Sequence, residues 1–246
     1  MIRFHFRAAA IALSLVLFLP LHYLWRLFGA RSPWPRRFLQ WVGFAAGARV
    51  RIVGTPLRRD VLFLANHVSW LDIMVLAGAS GAAFVSKAEV KKWPAVGWLA
   101  GLNDTVYVER AARGAVRGQA DSLRGALASG RPVALFPEGT TEGGGEVLPF
   151  RASLLASLFP PLPGVRVQPV AIDFGAATAD IAWTGDEGAA ANAKRVMARR
   201  GTIPVTLSFL EPLRPADFAD RKALAAAARA EVVAALAASA AAAASL

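Results

Sequence analysis

Two short stretches of this sequence combine residue types that can move protons. The first is Asn66-His67-Val68-Ser69-Trp70-Leu71-Asp72, which follows an apolar run at 61–65. Histidine readily changes its charge near neutral pH, and His67 is the only one after residue 22. If His67 lies in a loop and Asp72 in the first turn of a following helix, Asp72 can orient the imidazole as a general base. Alternatively, Asp72 completes a capping box with Ser69 as the N-cap, and His67 is an ordinary loop histidine.

The second stretch, residues 135–141, follows another apolar run and contains the turn sequence Pro137-Glu138-Gly139. In α/β folds, ligands bind at the carboxyl ends of the strands. We therefore expect Glu138 to orient an acceptor hydroxyl or a basic partner. An ordinary turn at the end of a strand is the alternative interpretation.

Three basic residues, Lys87, Arg110 and Arg151, lie at or after the ends of predicted strands and loops. Cations in such positions can bind phosphate, and an arginine can do so with two parallel hydrogen bonds. A solvated surface charge is the alternative for each of them.

The elements that must position these residues alternate between strands and helices. β-rich runs predict strands at 49–54, 61–65, 82–86, 105–108, 132–136, 165–174 and 204–210, and helical patterns occur at 70–78, 113–129, 151–158 and 192–200. This alternation predicts an α/β fold, with a mixed sheet flanked by helices on both faces. The alanine-rich residues 223–246 predict a terminal helix.

Residues 1–48 predict a membrane anchor, ahead of a single domain at 49–246. An apolar run at 8–19 continues past Pro20 to residue 27, and a second apolar piece at 38–48 follows a basic loop. Residues 1–60 contain ten Arg, no Lys and one acidic residue, and so carry nine of the eleven net positive charges. Apolar helices with basic flanks indicate an anionic membrane surface rather than nucleic acid. More Arg follows the first apolar run than precedes it, which predicts a cytoplasmic domain, and a cleaved signal peptide is the alternative.

Composition excludes several other classes of protein. With 246 residues, 55% hydrophobic and 18% charged, the chain is not a disordered one. The absence of Cys excludes disulfides, cysteine-bound metal centres and a thiol nucleophile, and only three His argue against a histidine-rich metal site. We therefore expect no metal and no tightly bound cofactor.

The motifs together resemble those of the glycerolipid acyltransferases, the 1-acylglycerol-3-phosphate acyltransferase group. Three ordered blocks are similar: Asn-His-x4-Asp at 66–72, Arg110 at the end of 101–110, and Phe-Pro-Glu-Gly-Thr at 136–140. A fourth, weaker block is Val-Gln-Pro-Val at 167–170, so the resemblance covers about residues 50–175. The family commonly has Arg after the third block, whereas this chain has Thr141 and then three glycines, as in a branch that includes lyso-ornithine-lipid acyltransferases.

The resemblance implies a membrane-bound enzyme that moves an acyl chain from acyl-CoA or acyl-carrier protein to the free hydroxyl of a lysophospholipid. The first expected acceptor is 1-acylglycerol-3-phosphate, and lyso-ornithine lipid is the alternative. The expected catalytic residues are His67 and Asp72, and the expected substrate-binding residues are Lys87, Arg110, Glu138, Gly139, Thr140 and Arg151. Backbone N–H groups near the start of the helix or at Gly139 are expected to hold the oxyanion.

Two other functions stay open at this point. A membrane-anchored hydrolase would use Ser69 with His67, although a single intervening residue is unfavourable for a triad and no Gly-x-Ser-x-Gly sequence occurs. A basic membrane-surface adaptor without activity would leave the clustered His, Asp and Glu unexplained.

Overall fold

The structure is a computed structural model that describes residues 2–29, 31–93, 96–108, 115–141, 143–185 and 187–244, without the side chains of Lys87, Val108 and residues 115–120. In these ranges seven strands form one sheet in the order β1-β7-β6-β2-β5-β3-β4. The strands are β1 (Ala48–Val53), β2 (Val61–Ala65), β3 (Ala83–Lys87), β4 (Val106–Val108), β5 (Val133–Leu135), β6 (Arg166–Asp173) and β7 (Ile203–Phe209).

Helices cover both faces of this sheet. They are α1 (Ile2–Arg26), α2 (Trp34–Ala46), α3 (Leu71–Ser80), α4 (Val96–Leu102), α5 (Ala115–Ala128), α6 (Thr178–Ile181), α7 (Ala189–Ala198) and α8 (Arg221–Ala244), with 3₁₀ turns at Ala88–Lys92, Ala152–Leu158, Gly175–Ala177 and Pro215–Asp217. The predicted α/β fold with a mixed sheet is confirmed, since β6 and β7 pair antiparallel and the other strand pairs are parallel. The segment predicted as a helix at 151–158 is a 3₁₀ helix, whose three-residue period places Leu155 and Leu158 on one buried face.

The centre of the sheet is β2, and both of its faces are buried. Phe63 packs into the core on the side of α3, whereas Leu62 and Leu64 pack into the core on the side of α8. Successive side chains of a strand point to opposite faces, and each fully buried side chain of this size stabilises the fold by about 1.5–3 kcal/mol. The end of β2 is therefore a rigid support for the residues that follow it.

Helices α1 and α2 pack on the rest of the chain. Arg36 in α2 donates hydrogen bonds to the carbonyls of Gly78 and Ala79 at 3.0 and 2.9 Å, which satisfies the last turn of α3. A Cβ atom on Gly78 would lie 2.8 Å from the Cα of Gln40, so glycine allows the two helices to approach closely. Arg7 in α1 donates to the carbonyl of Met197 at 3.1 Å.

The outer surface of α1 is apolar and exposed. Leu13 and Val16 are each 71% exposed, and the helix continues through Pro20. By length and composition both α1 and α8 are able to cross a membrane, but α8 is the more buried of the two. The exposed apolar surface near the amino terminus supports membrane association.

Candidate active site

The two motifs meet because their strands are neighbours. Strands β2 and β5 are parallel, with Leu64 opposite Leu135, so both strands end at the same edge of the sheet. The loop at 66–70 leaves β2 at this edge and the turn at 136–139 leaves β5 there. The strand order thus brings together residues that are about 70 positions apart in the chain.

His67 lies in the loop before α3, and Asp72 lies in the first turn of that helix, as the spacing argument requires. The Nδ1 atom of His67 is 2.8 Å from Oδ2 of Asp72. The same oxygen accepts hydrogen bonds from the backbone N–H groups of Val68 and Ser69 at 2.6 and 2.8 Å. Because a carboxylate only accepts, Nδ1 of His67 carries the proton and Nε2 has a free lone pair in the neutral ring. This is the tautomer that a general base needs.

The capping alternative is only partly realised. Helix α3 begins at Leu71 with Trp70 in the N-cap position, one residue later than predicted, and the Trp70 side chain makes no capping bond, although the Ser69 hydroxyl accepts from the N–H of Leu71 at 3.4 Å. Asp72 does accept from the N–H of Ser69, but it also binds the imidazole. Asp72 is fully buried, and within the described ranges its Oδ1 atom has no hydrogen-bond partner.

Glu138 holds the histidine loop from the other motif. Its Oε1 atom accepts from the backbone N–H of His67 at 2.7 Å, and its Oε2 atom accepts from the N–H of Leu148 at 2.8 Å. Glu138 is only 2% exposed, and this burial raises the pKa of its carboxyl group, although the two backbone N–H bonds act in the opposite direction. The structure therefore gives Glu138 a positioning role, and its contact with an acceptor stays a prediction.

Two further residues of the motifs, for which the sequence predicts no role, orient the site. The ring of Phe136 stacks on the imidazole of His67, with 3.9 Å between the ring centres and 9° between the planes. The side-chain amide of Asn66 accepts from the N–H of Ile172 at 2.8 Å and donates to its carbonyl at 2.9 Å. Their presence in the motifs was the available signal, but their partners, His67 and Ile172, are distant from them in the chain.

The remaining predicted substrate-binding residues are Gly139, Arg151, Thr140, Lys87 and Arg110. Gly139 has φ +79°, and a Cβ atom there would lie 3.1 Å from Nε of Arg151, so the Arg151 side chain lies against this turn. Thr140 is exposed, and its hydroxyl donates to the carbonyl of Thr141 at 3.3 Å. Lys87 ends β3, but its side chain is outside the described part, and Arg110 lies outside the described residues altogether.

Three of the backbone N–H groups expected to hold the oxyanion already bind protein acceptors. The N–H groups of Val68 and Ser69 bind Asp72, and the N–H of Gly139 donates to the carbonyl of Phe136 at 3.2 Å. This corrects the expectation for these groups, because the turns that place them also use their hydrogens. Among the described residues, no group of three or more His, Asp and Glu could hold a metal ion.

An apolar cavity of about 1150 Å³ reaches His67 from the side of the amino-terminal helices. One face of α1 lines it, including Leu15 and Phe18, and α2 contributes Phe38. His67 and Phe136 belong to the same lining. The space is therefore suited to a hydrocarbon chain whose reactive end lies at the imidazole.

The family model described as Acyltransferase matches residues 49–173, which is half of the chain and includes both motifs. The chain belongs to the acyltransferase family. A lyso-ornithine lipid O-acyltransferase of Brucella abortus is 37% identical over 237 residues, covering 89% of this chain and 87% of its own. A 1-acyl-sn-glycerol-3-phosphate acyltransferase of Neisseria gonorrhoeae is 35% identical over 114 residues, 46% of this chain and 44% of its own.

A solved structure supports the same assignment. The 1-acyl-sn-glycerophosphate acyltransferase PlsC from Thermotoga maritima has a TM-score of 0.70 with this chain at 27% sequence identity, covering 94% of this chain and 90% of its own. The resemblance found in the motifs is thereby confirmed, as is the prediction that this chain is an enzyme. It is an acyltransferase of the lysophospholipid type.

Proposed function

We propose that this acyltransferase transfers an acyl chain from a thioester to the hydroxyl of lyso-ornithine lipid, with His67 as the general base. The observation that carries the catalytic part is the His67–Asp72 pair at the wall of the apolar cavity. Nε2 removes the proton from the acceptor hydroxyl as its oxygen attacks the thioester carbonyl. The buried carboxylate of Asp72 stabilises the imidazolium that forms.

The second half of the reaction needs no additional group. The tetrahedral intermediate collapses, the C–S bond breaks, and the thiolate takes the proton that the imidazolium holds. A thiol with a pKa of about 8.5 leaves with little acid assistance, so one histidine serves both halves. The chain contains no Cys, and no acyl-enzyme intermediate is required. We propose acyl-CoA or acyl-carrier protein as the donor.

Two arguments support lyso-ornithine lipid as the acceptor. The relatives that match over most of this chain at 35–38% identity include lyso-ornithine lipid O-acyltransferases of four bacteria. Thr141 stands where related enzymes commonly have an arginine, and its hydroxyl is turned into the protein, donating to the carbonyl of Trp183 at 2.6 Å. A site with one cation fewer favours a less anionic head group. A phosphate would gain about 1.5–3 kcal/mol from each such charged hydrogen bond.

A second candidate acceptor is 1-acylglycerol-3-phosphate. The observation that favours it is the similarity to PlsC over 94% of this chain. The Arg151 side chain beside Gly139 is a cation near the second motif that could contact a phosphate.

One assay tests the chemistry and separates the candidates. Purified protein is given labelled acyl-CoA with lyso-ornithine lipid or lysophosphatidate, and diacyl product and free fatty acid are both measured. We expect diacyl product, a kcat/KM at least about tenfold higher for lyso-ornithine lipid, and a loss of about 10²–10⁴ in His67→Ala. Free fatty acid as the main product would identify a hydrolase. Near-normal turnover by His67→Ala would refute the role of the base, and a preference for lysophosphatidate would refute the acceptor.

We further propose that α1 and α2 hold the enzyme on the membrane, with the sheet on the cytoplasmic side. The exposed apolar side chains of α1 support the first part, and the excess of Arg after the first apolar run supports the second. Because the same two helices line the apolar cavity, an acyl chain could pass between the bilayer and His67 without crossing water.

A further inference from the structure

A second cavity adjoins His67 and carries charges of both signs. It measures about 880 Å³ and lies between the glycine-rich loop at 143–147 and one face of α8. Asn66, His67 and Glu138 belong to its lining, so it meets the same catalytic residue as the apolar cavity. We call it the charged cavity, because Asp173, Glu146 and Arg229 also line it.

Of the three carboxyl groups in the lining, that of Glu138 already accepts from two backbone N–H groups, and the other two are held differently. Asp173 is half-buried at the end of β6, where it accepts hydrogen bonds from the N–H of Gly175 at 2.7 Å and from the hydroxyl of Ser239. Glu146 is exposed on the glycine-rich loop. A carboxylate has about four acceptor sites, so Asp173 retains capacity for a ligand.

Arg229 supplies the opposite charge from α8. It is half-buried, and it donates through Nε and Nη2 to the carbonyls of Val147 and Leu148 at 2.5–3.2 Å. These bonds fix the guanidinium but neutralise none of its charge. A guanidinium has five N–H donors, so those of Nη1 remain for a ligand.

Opposite charges that share a cavity but do not pair with each other are an unusual arrangement. The ion pairs of the described residues involve none of Asp173, Glu146 and Arg229. With three carboxyl groups, those of Glu138, Glu146 and Asp173, and one guanidinium in its lining, the charged cavity repels a phosphate monoester, which bears between one and two negative charges near pH 7. It matches a ligand that has both an ammonium and a carboxylate group.

We propose that the charged cavity binds the zwitterionic amino-acid head group of the acceptor. Arg229 binds the head-group carboxylate, and Asp173, together with Glu146, binds the ammonium group. This inference rests on the proposed lyso-ornithine lipid acceptor and names the residues that select it. The apolar cavity then receives hydrocarbon, the charged cavity receives the head group, and His67 lies where the two cavities meet.

The test pairs each variant with an acceptor that lacks the matching charge. Acylation rates are measured for lyso-ornithine lipid, its carboxyl methyl ester and its N-acetylated amine. Arg229→Gln should lower kcat/KM about 10- to 150-fold on the native acceptor but only about twofold on the methyl ester, whose carboxylate charge is already gone. Asp173→Asn and Glu146→Gln should likewise lower kcat/KM on the native acceptor but have little effect on the N-acetylated acceptor, whose ammonium charge is already gone. The larger loss is expected from Asp173→Asn.

The controls separate binding from folding. Glu231→Gln, an exposed change on α8 outside the cavity lining, should leave all three rates unchanged. An asparagine at position 173 can still accept a hydrogen bond from the N–H of Gly175, and Glu146 is exposed, so both of these variants should fold. They test the proposal even if Arg229→Gln does not fold. Equal losses on native and modified acceptors, or no loss at all, would overturn the head-group assignment while the acceptor itself stands. A wild-type preference for lysophosphatidate would overturn both proposals.

Discussion

Replacing Asp72 by Asn tests whether this carboxylate serves catalysis or only the start of α3. Oδ2 of Asp72 accepts three hydrogen bonds, one from the His67 ring and two from backbone N–H groups, all between 2.6 and 2.8 Å. An Asn oxygen in that position can still accept all three and keep the tautomer of His67. Its NH₂ group, however, would occupy the buried site of Oδ1, which has no partner among the described residues. The substitution thus removes the negative charge without changing the shape of the side chain.

The expected magnitude follows from that loss of charge. A hydrogen bond to a charged group is worth about 1.5–3 kcal/mol, and in the proposed mechanism the imidazolium forms as the acceptor proton is removed. We therefore expect kcat to fall about 10- to 150-fold, with KM nearly unchanged. The buried NH₂ group and the weaker acceptor should also lower the free energy of unfolding by about 1–3 kcal/mol.

Two measurements on the same preparation decide between the roles. Denaturant unfolding in detergent gives the folded fraction, and saturating acceptor gives kcat per folded molecule. Asp217→Asn, an exposed carboxylate far from the motifs in sequence, is the matched control and should change neither value. A variant that is less stable but turns over at the wild-type rate per folded molecule would show that Asp72 only caps the helix.

Three other perturbations have defined outcomes. Glu138→Gln should lower the free energy of unfolding by about 1–3 kcal/mol and also slow turnover, because an amide can accept from only one of the two buried N–H groups; denaturation and single-turnover rates check this. Leu13→Asn with Val16→Asn should weaken sedimentation with anionic vesicles while acylation of a short-chain soluble acceptor persists, because both side chains are 71% exposed. Hydrogen bonds from Arg195, and to a smaller extent from Asn192, lower the pKa of Glu187 from 4.5 to about 2. The stability this provides is present above about pH 4.5 and is lost as the pH falls toward 2, so Glu187→Gln should flatten the fall of Tm with acid.

A control variant or a contradicting outcome is defined for each of the substitutions at Leu13 with Val16, at Glu138 and at Glu187. Ile52→Asn removes an exposed apolar side chain from β1 and should leave vesicle binding intact; equal weakening would mean that α1 is not the membrane-binding surface. Substitution on α1 is a cleaner test than deletion of residues 1–48, because α2 buries Phe38 and Ala46 in the core. Full activity in a stable Glu138→Gln protein would contradict its positioning role. An unchanged acid profile in Glu187→Gln would show that the ion pair does not stabilise the fold.

Much of the local structure is readable from the sequence, because it depends on neighbours along the chain. Two-residue alternation and apolar runs predict the strands, and an apolar strand such as β2 needs both faces covered. His67 and Asp72 meet within one loop and one helical turn, so their spacing and the order of elements are sufficient to predict the contact. The apolar run at 8–27 likewise predicts a helical segment ahead of the sheet, and residues 8–26 lie in α1.

The tertiary structure decides which distant groups share the site. Pairing of β2 with β5 is what places Glu138 against the N–H of His67, 71 residues away. Since nearly every backbone N–H is an equivalent donor, no side-chain pattern shows which of them a carboxylate will accept. The two cavities are also absent from any pattern, because each is the space left between helices and loops distant in the chain. The sequence thus determines the elements and the contact between His67 and Asp72, and only the packing of those elements determines what surrounds that pair.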